Sequence, residues 1–169
     1  NEEKFRNFFL NMVIGVSINK IITNKELTGY DAIIYDVNPA FEKIIGETAV
    51  NLYNQPLSSV SPICKKELVE TIINSTRRNN NFETEVYISE QDSYYYLLSF
   101  PLDKSQFVLS IQNITKEKKE VIESLHMASL VAHSEDAIYS VSLNGKIQTW
   151  NLGAERFYGY KAHEIIGKD

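Results

Sequence analysis

Side chains suited to covalent chemistry are thinly spread along this chain. Its one cysteine, Cys64, lies in Ser61-Pro62-Ile63-Cys64-Lys65, where it can form no intramolecular disulfide and anchor no cysteine zinc cluster. A lone cysteine fits a reducing compartment. The three histidines, His126, His133 and His163, all follow the region that carries Cys64. No Ser-His-Asp set, glycine-rich phosphate loop or paired-carboxylate constellation can be assembled from the rest. Catalysis is therefore not expected. The polar groups of interest are hydroxyls among apolar neighbours. In one run Phe82, Thr84, Val86 and Ile88 alternate with Glu83, Glu85 and Tyr87, so a strand there turns Thr84 toward a core. A hydroxyl in an apolar wall serves non-covalent recognition of a small molecule.

The elements that position such groups follow from bulk properties and then from pattern. A chain of 169 residues is one domain and a remainder, and 43% hydrophobic with 23% charged residues is enough to bury a core. The net charge of -5, with only Lys65-Lys66, Arg77-Arg78 and Lys116 to Lys119 as basic clusters, leaves no footprint for nucleic acid or anionic lipid. No stretch approaches the ~18 consecutive apolar residues that span a bilayer, and Glu2, Glu3, Lys4 and Arg6 replace a signal-peptide core. A cytoplasmic location without membrane contact is expected. Opening at Asn1 without methionine and stopping in mid-pattern at Asp169, the sequence reads as a piece of a longer protein.

An internal repeat organises the chain. Asn38-Pro39-Ala40-Phe41-Glu42-Lys43-Ile44-Ile45-Gly46 aligns with Asn151-Leu152-Gly153-Ala154-Glu155-Arg156-Phe157-Tyr158-Gly159. Each copy follows a strand-like run, Ala32 to Val37 and Lys146 to Trp150. Asparagine ends the strand and caps a helix, Pro39 takes a first-turn position that needs no N–H, and Gly46 and Gly159 stop the helix.

Strand, Asn-Pro-Ala-Phe-Glu, short helix and glycine together resemble the opening of a PAS domain. The second copy, Gly145 to Tyr160 with Glu164-Ile165-Ile166-Gly167-Lys168, resembles PAS segments of multi-domain sensor kinases. The remaining pattern agrees. Phe5, Phe8, Phe9 and Met12 share a face of a helix over about 2–11, resembling a PAS N-terminal cap. Val13 to Ile22 reads as the first strand, Asn24 to Tyr30 as a long hairpin loop with Gly29, and Lys66 to Arg78 as a helix with Leu68, Ile72 and Ile73 on one side. Gln91-Asp92-Ser93 turns the chain before strands at Tyr94 to Pro101 and Gln106 to Ile114. The expected fold is α+β: a five-stranded antiparallel sheet with helices on one face, an N-terminal cap helix, a C-terminal linker helix and a partial second PAS domain. The expected division is a PAS domain over 1–115, a linker over 116–132 and the start of a second domain over 133–169, too short to be autonomous.

The resemblance implies that Tyr95, Leu97 and Ser99 point inward, which leaves Tyr96, Leu98 and Phe100 on an outer face covered by the cap helix or a partner chain. It implies a small-molecule site bounded by Phe41, Ile45, Ile72, Phe82, Val86, Leu97 and Ile111, with polar handles at Thr84, Tyr95 and Ser99. A filled core accounts for the same alternation. The cofactor is not identified by the sequence, and flavin and haem are not expected in the first domain. Flavin photoreceptors of this family carry an Asn-Cys-Arg-Phe-Leu-Gln motif and a glutamine where Ile111 stands, and haem binders carry a histidine on the long helix. His126, in Leu125-His126-Met127-Ala128-Ser129, lacks the surroundings of a phosphoacceptor. The implied function is sensing of a small molecule in a bacterial or archaeal signal-transduction protein, relayed through a helical linker to an output domain downstream in cis: a histidine kinase of a two-component system, a cyclase or a transcriptional domain. The alternative is a ligand-free dimerisation and relay module. Asn113-Ile114-Thr115 resembles the Asp-Ile-Thr by which PAS domains start an outgoing helix, with asparagine for the acid. Ile114, Val121, Leu125, Ala128 and Ala132 form a heptad-like seam broken at Lys118, from which a parallel homodimer is expected.

Overall fold

A computed structural model of the chain describes residues 2–24 and 29–168, so residues 25–28 of the expected long hairpin loop lie outside the described residues. The chain divides into two compact units, Asn1–Lys116 and Glu117–Asp169.

The first unit opens with α1 (Glu2–Asn11) and continues through β1 (Gly15–Asn24), β2 (Gly29–Val37), α2 (Pro39–Ile45), α3 (Ala49–Leu52) and α4 (Lys66–Arg77). Strands β3 (Phe82–Ile88), β4 (Ser93–Pro101) and β5 (Gln106–Asn113) complete one antiparallel sheet of order β2-β1-β5-β4-β3. α2, α3 and α4 pack on its inner face, where Phe41, Leu52, Val69, Ile72 and Ile73 join Ile34, Leu97, Leu109 and Ile111 in one buried cluster. α1 packs on the opposite face through Phe9, which meets Val16 and Val108. This is the expected α+β architecture, with small changes at the ends of elements. β1 begins at Gly15 rather than Val13 because α2 crosses its start closely: a Cβ at Gly15 would lie 3.0 Å from Phe41 Cα. It runs on to Asn24 because its pairing with β2 continues to Gly29. The turn after β3 is a 3₁₀ turn, Ser89–Gln91, closed by Asp92 at φ 45°.

The second unit contains most of α5 (Thr115–His133), then β6 (Tyr139–Val141), β7 (Ile147–Trp150), α6 (Leu152–Tyr158) and α7 (Ala162–Ile165). β6 and α7 are additional to the strand-like run and the capped helix that the repeat predicts. Tyr139, Trp150 and Tyr158 meet in an aromatic cluster with centroids 5.3–6.0 Å apart, and Trp150 Nε1 donates to Tyr160 O at 3.0 Å.

The repeat is physical as well as textual. Asn38 Oδ1 accepts from Val16 N and Phe41 N, and its Nδ2 donates to Phe9 O and Ile14 O. Asn151 Oδ1 accepts from Ile138 N and Ala154 N, and its Nδ2 donates to Val131 O and Asp136 O. In each copy one asparagine thus caps a helix, fixes the first strand and holds the helix that enters the domain. The end of α5 stands to the second copy as α1 stands to the first. The glutamates repeat too: Glu42 accepts from Ala49 N and Glu155 from Ala162 N, capping the helix that follows.

Candidate functional site

The inner face of the first unit is laid out by register. Gly15, Ile111, Leu97 and Thr84 are cross-strand neighbours in one row; Ser17, Leu109, Ser99 and Phe82 form the next; Asn19, Phe107 and Pro101 form a third. Tyr95 pairs with Val86 on its other side. Of the residues expected to bound a site, Phe41, Ile72, Tyr95, Leu97 and Ile111 are buried together, and Ile45, Phe82 and Val86 pack against them half-buried. Ser99 is buried in the same face at 1% exposure. The other two expected handles are engaged elsewhere. Tyr95 Oη donates to Gln91 Oε1 at 3.1 Å, and Thr84 Oγ1 donates to Glu85 O on the exposed side.

Three polar side chains that sequence reasoning did not single out lie deeper. Ser17 and Asn19 on β1 are fully buried, and Thr76 on α4 is 1% exposed. Asn19 Nδ2 donates to the Ser17 carbonyl oxygen at 3.2 Å and to Ser17 Oγ at 2.9 Å. A carbonyl oxygen can only accept, so this contact fixes the amide's orientation and leaves Oδ1 pointing elsewhere. Asn19 Oδ1 has no hydrogen-bond partner among the described residues, and neither has Thr76 Oγ1. Threonine in a helix commonly bonds the carbonyl four residues back, as Thr71 does to Glu67 O. Thr76 forgoes that bond while sharing the buried stripe of Val69, Ile72 and Ile73. Buried polar atoms are rarely left unmatched, because each such loss costs about 1–3 kcal/mol. α4 lies over β2 at this end of the unit, with the Arg77 guanidinium 3.6 Å from the centroid of the Tyr30 ring.

The surroundings are nearly free of charge. Among the described residues of this unit Asp31 is the buried carboxylate, and both its oxygens are occupied, by Ala32 N, Ser58 N and Ser58 Oγ. Burial pushes the Cys64 thiol up to about 12, so it is a neutral thiol with no nucleophilic character near pH 7. α4 carries no histidine, and His126 lies exposed on α5. Among the described residues no cluster of His, Cys, Asp and Glu could hold a metal ion.

A recess of about 390 Å³ lies on the other side of the sheet. It is walled by Phe5, Phe8, Phe9 and Met12 of the cap-helix segment and by outer-face residues including Leu98 and Phe100. α1 therefore covers only part of the apolar outer face, and Phe5 and Phe8 stay exposed.

A family model described as PAS domain matches residues 13–129 and again residues 135–169. Among solved structures, the chain is similar to the PAS domain of a protein from Colwellia psychrerythraea at 14% identity and a TM-score of 0.52, covering 68% of this chain and 98% of that one. It is also similar to a domain of a sensory box sensor histidine kinase/response regulator from Geobacter sulfurreducens at 16% identity and a TM-score of 0.50, covering 66% and 92%. At such identities the likeness is one of fold. No curated protein matches the chain.

Proposed function

Because this chain belongs to the PAS domain family, whose members are sensory rather than catalytic modules of signalling proteins, we propose that its first unit senses a small molecule on the inner face of the sheet. The observation that carries this reading is two buried, unpartnered polar atoms, Asn19 Oδ1 on the inner face and Thr76 Oγ1 on the buried stripe of α4, in a unit whose core is mostly apolar. The residues bounding the site are Phe41, Ile45, Ile72, Thr84, Val86, Tyr95, Leu97, Ser99 and Ile111, joined by Ser17, Asn19 and Thr76. Neither flavin nor haem is proposed as its ligand, a reading supported by the buried neutral thiol of Cys64 and by an α4 without histidine.

The signal leaves through α5. Thr115 Oγ1, at its start, accepts from Tyr94 N of β4 at 2.9 Å, and Val131 O, near its end, is held by Asn151 Nδ2 at 2.8 Å. These contacts support a division into a sensor over 1–115, a linker over 116–132 and the beginning of a second PAS domain over 133–169, with an output domain in cis. Val121 and Leu125 are more than half exposed on α5, which supports a homodimer through this helix. No described helix is long and apolar enough to cross a membrane, and the proposed location is the cytoplasm.

A ligand-free relay module is the second reading, favoured by the close packing of Phe41, Ile72, Leu97 and Ile111, all under 2% exposed. Native mass spectrometry of the freshly purified chain, followed by a thermal-shift screen of metabolites, separates the two. A co-purifying or saturably stabilising molecule is expected. Neither a bound mass nor any stabilising compound would leave the relay reading standing.

A further inference from the structure

Resting on the reading that the inner face is a ligand site, we propose that the molecule held there is small, uncharged and carries an O–H or N–H donor for Asn19 Oδ1, with Thr76 Oγ1 of α4 as the second unpartnered group. Each part follows from the groups present. Asn19 Oδ1 is an acceptor only, so an apolar molecule, or one with acceptors only, would leave it unmatched. Thr76 Oγ1 can donate or accept, so the oxygen of an incoming alcohol or amide suits it. An ion would enter without a counter-charge. Both oxygens of Asp31 are already directed to Ala32 and Ser58, and the Cys64 thiol is neutral. Burying a charge that way is heavily disfavoured. Smallness follows from the neighbours, since Ile34 and Phe107, the register partners of Asn19, are already fully buried.

The test is a matched series added to the ¹⁵N-labelled chain: n-butanol, butyl methyl ether, butyrate and butylammonium. Butanol is expected to shift the Asn19 side-chain amide signals saturably and to bind at least tenfold more tightly than the ether. The two ions are expected to give no saturable shift. Thr76→Val, which keeps shape and removes the hydroxyl, should weaken butanol at least fivefold while leaving the unliganded first unit as stable or more so; Thr76→Ser should restore binding. A hydroxyl with a merely structural role would lower stability on removal instead. Asn19→Leu provides the second arm and should abolish the preference for butanol over the ether. Equal binding of ether or ion, or butanol binding indifferent to Thr76→Val and Asn19→Leu, overturns the proposal. If the metabolite screen yields an inner-face ligand of other chemistry, the donor rule fails and the sensing reading stands. If neither series nor screen yields a saturable ligand, both fail.

Discussion

Removing the Asn38 side chain tests how the cap helix is attached to the sensor. Asn38→Ala deletes four hydrogen bonds at once, to Val16 N, Phe41 N, Phe9 O and Ile14 O. Loss of the helix cap at Phe41 costs about 1 kcal/mol. Orphaning the buried amide of Val16 adds about 1–3 kcal/mol. The two carbonyls contribute less, because the bond to Ile14 O is part-buried and the bond to Phe9 O is long at 3.3 Å. The expected loss is ~2–4 kcal/mol, a large part of the ~5–15 kcal/mol that holds a typical domain. Asn38→Asp separates the roles. It keeps both accepted bonds and loses both donated ones, and it aims a carboxylate at the Phe9 and Ile14 carbonyls. Denaturant unfolding with hydrogen exchange reads both variants. Asn38→Ala should lower the midpoint without changing the slope, and Asn38→Asp should speed exchange throughout α1 while α2 stays protected. An Asn38→Ala variant within 0.5 kcal/mol of the parent, or α1 exchange unchanged in Asn38→Asp, would refute the clamp.

Gly153→Ala should dismantle the second unit, since its Cβ would sit 2.1 Å from the backbone oxygen of Asp136; loss of the native Trp150 fluorescence with the first unit's exchange protection intact is the expected record. Cys64 should resist thiol reagents in the folded chain and react at once in denaturant, because burial pushes its pKa from 9.0 to about 12. The same shift makes stability fall as pH rises: its contribution is whole below about pH 9 and is lost toward pH 12, at up to ~1.4 kcal/mol per unit, because the unfolded chain releases the proton first. Comparing pH-dependent unfolding of the parent with Cys64→Ala isolates that slope, and equal slopes would contradict the assignment. Replacing Val121 and Leu125 together with glutamate should convert dimers to monomers in analytical ultracentrifugation with the first unit still folded; a surviving dimer would move the interface off α5.

Much of this architecture was legible in the sequence because local signals agreed with one another. Asn38 and Asn151 marked strand ends and helix starts in both copies, and the alternation from Phe82 to Ile88 turned the right residues inward. β1 was harder to read. Both of its faces are covered, by α1 on one side and the main core on the other, so no solvent face sets the phase of the alternation. Val16 and Ile18 look like the core-facing set, yet they meet α1 and the outer face, while Ser17 and Asn19 turn into the main core. Thr76 was hidden for a related reason: on a helix stripe with Val69, Ile72 and Ile73 it has the shape of valine, and only burial reveals its stranded hydroxyl. The hydroxyls of Thr84 and Tyr95 were visible in the sequence, but their partners, Glu85 O and Gln91, are local contacts that alternation does not encode.

The central claim is that the first unit senses through the inner face of its sheet. Intermolecular NOEs between a saturably bound screening hit and methyl-labelled chain test this most directly. The account predicts NOEs to inner-face methyls, those of Ile34, Ile72, Thr76 and Leu109 among them. NOEs confined to Met12, Leu98 and Leu102 of the outer recess would contradict it.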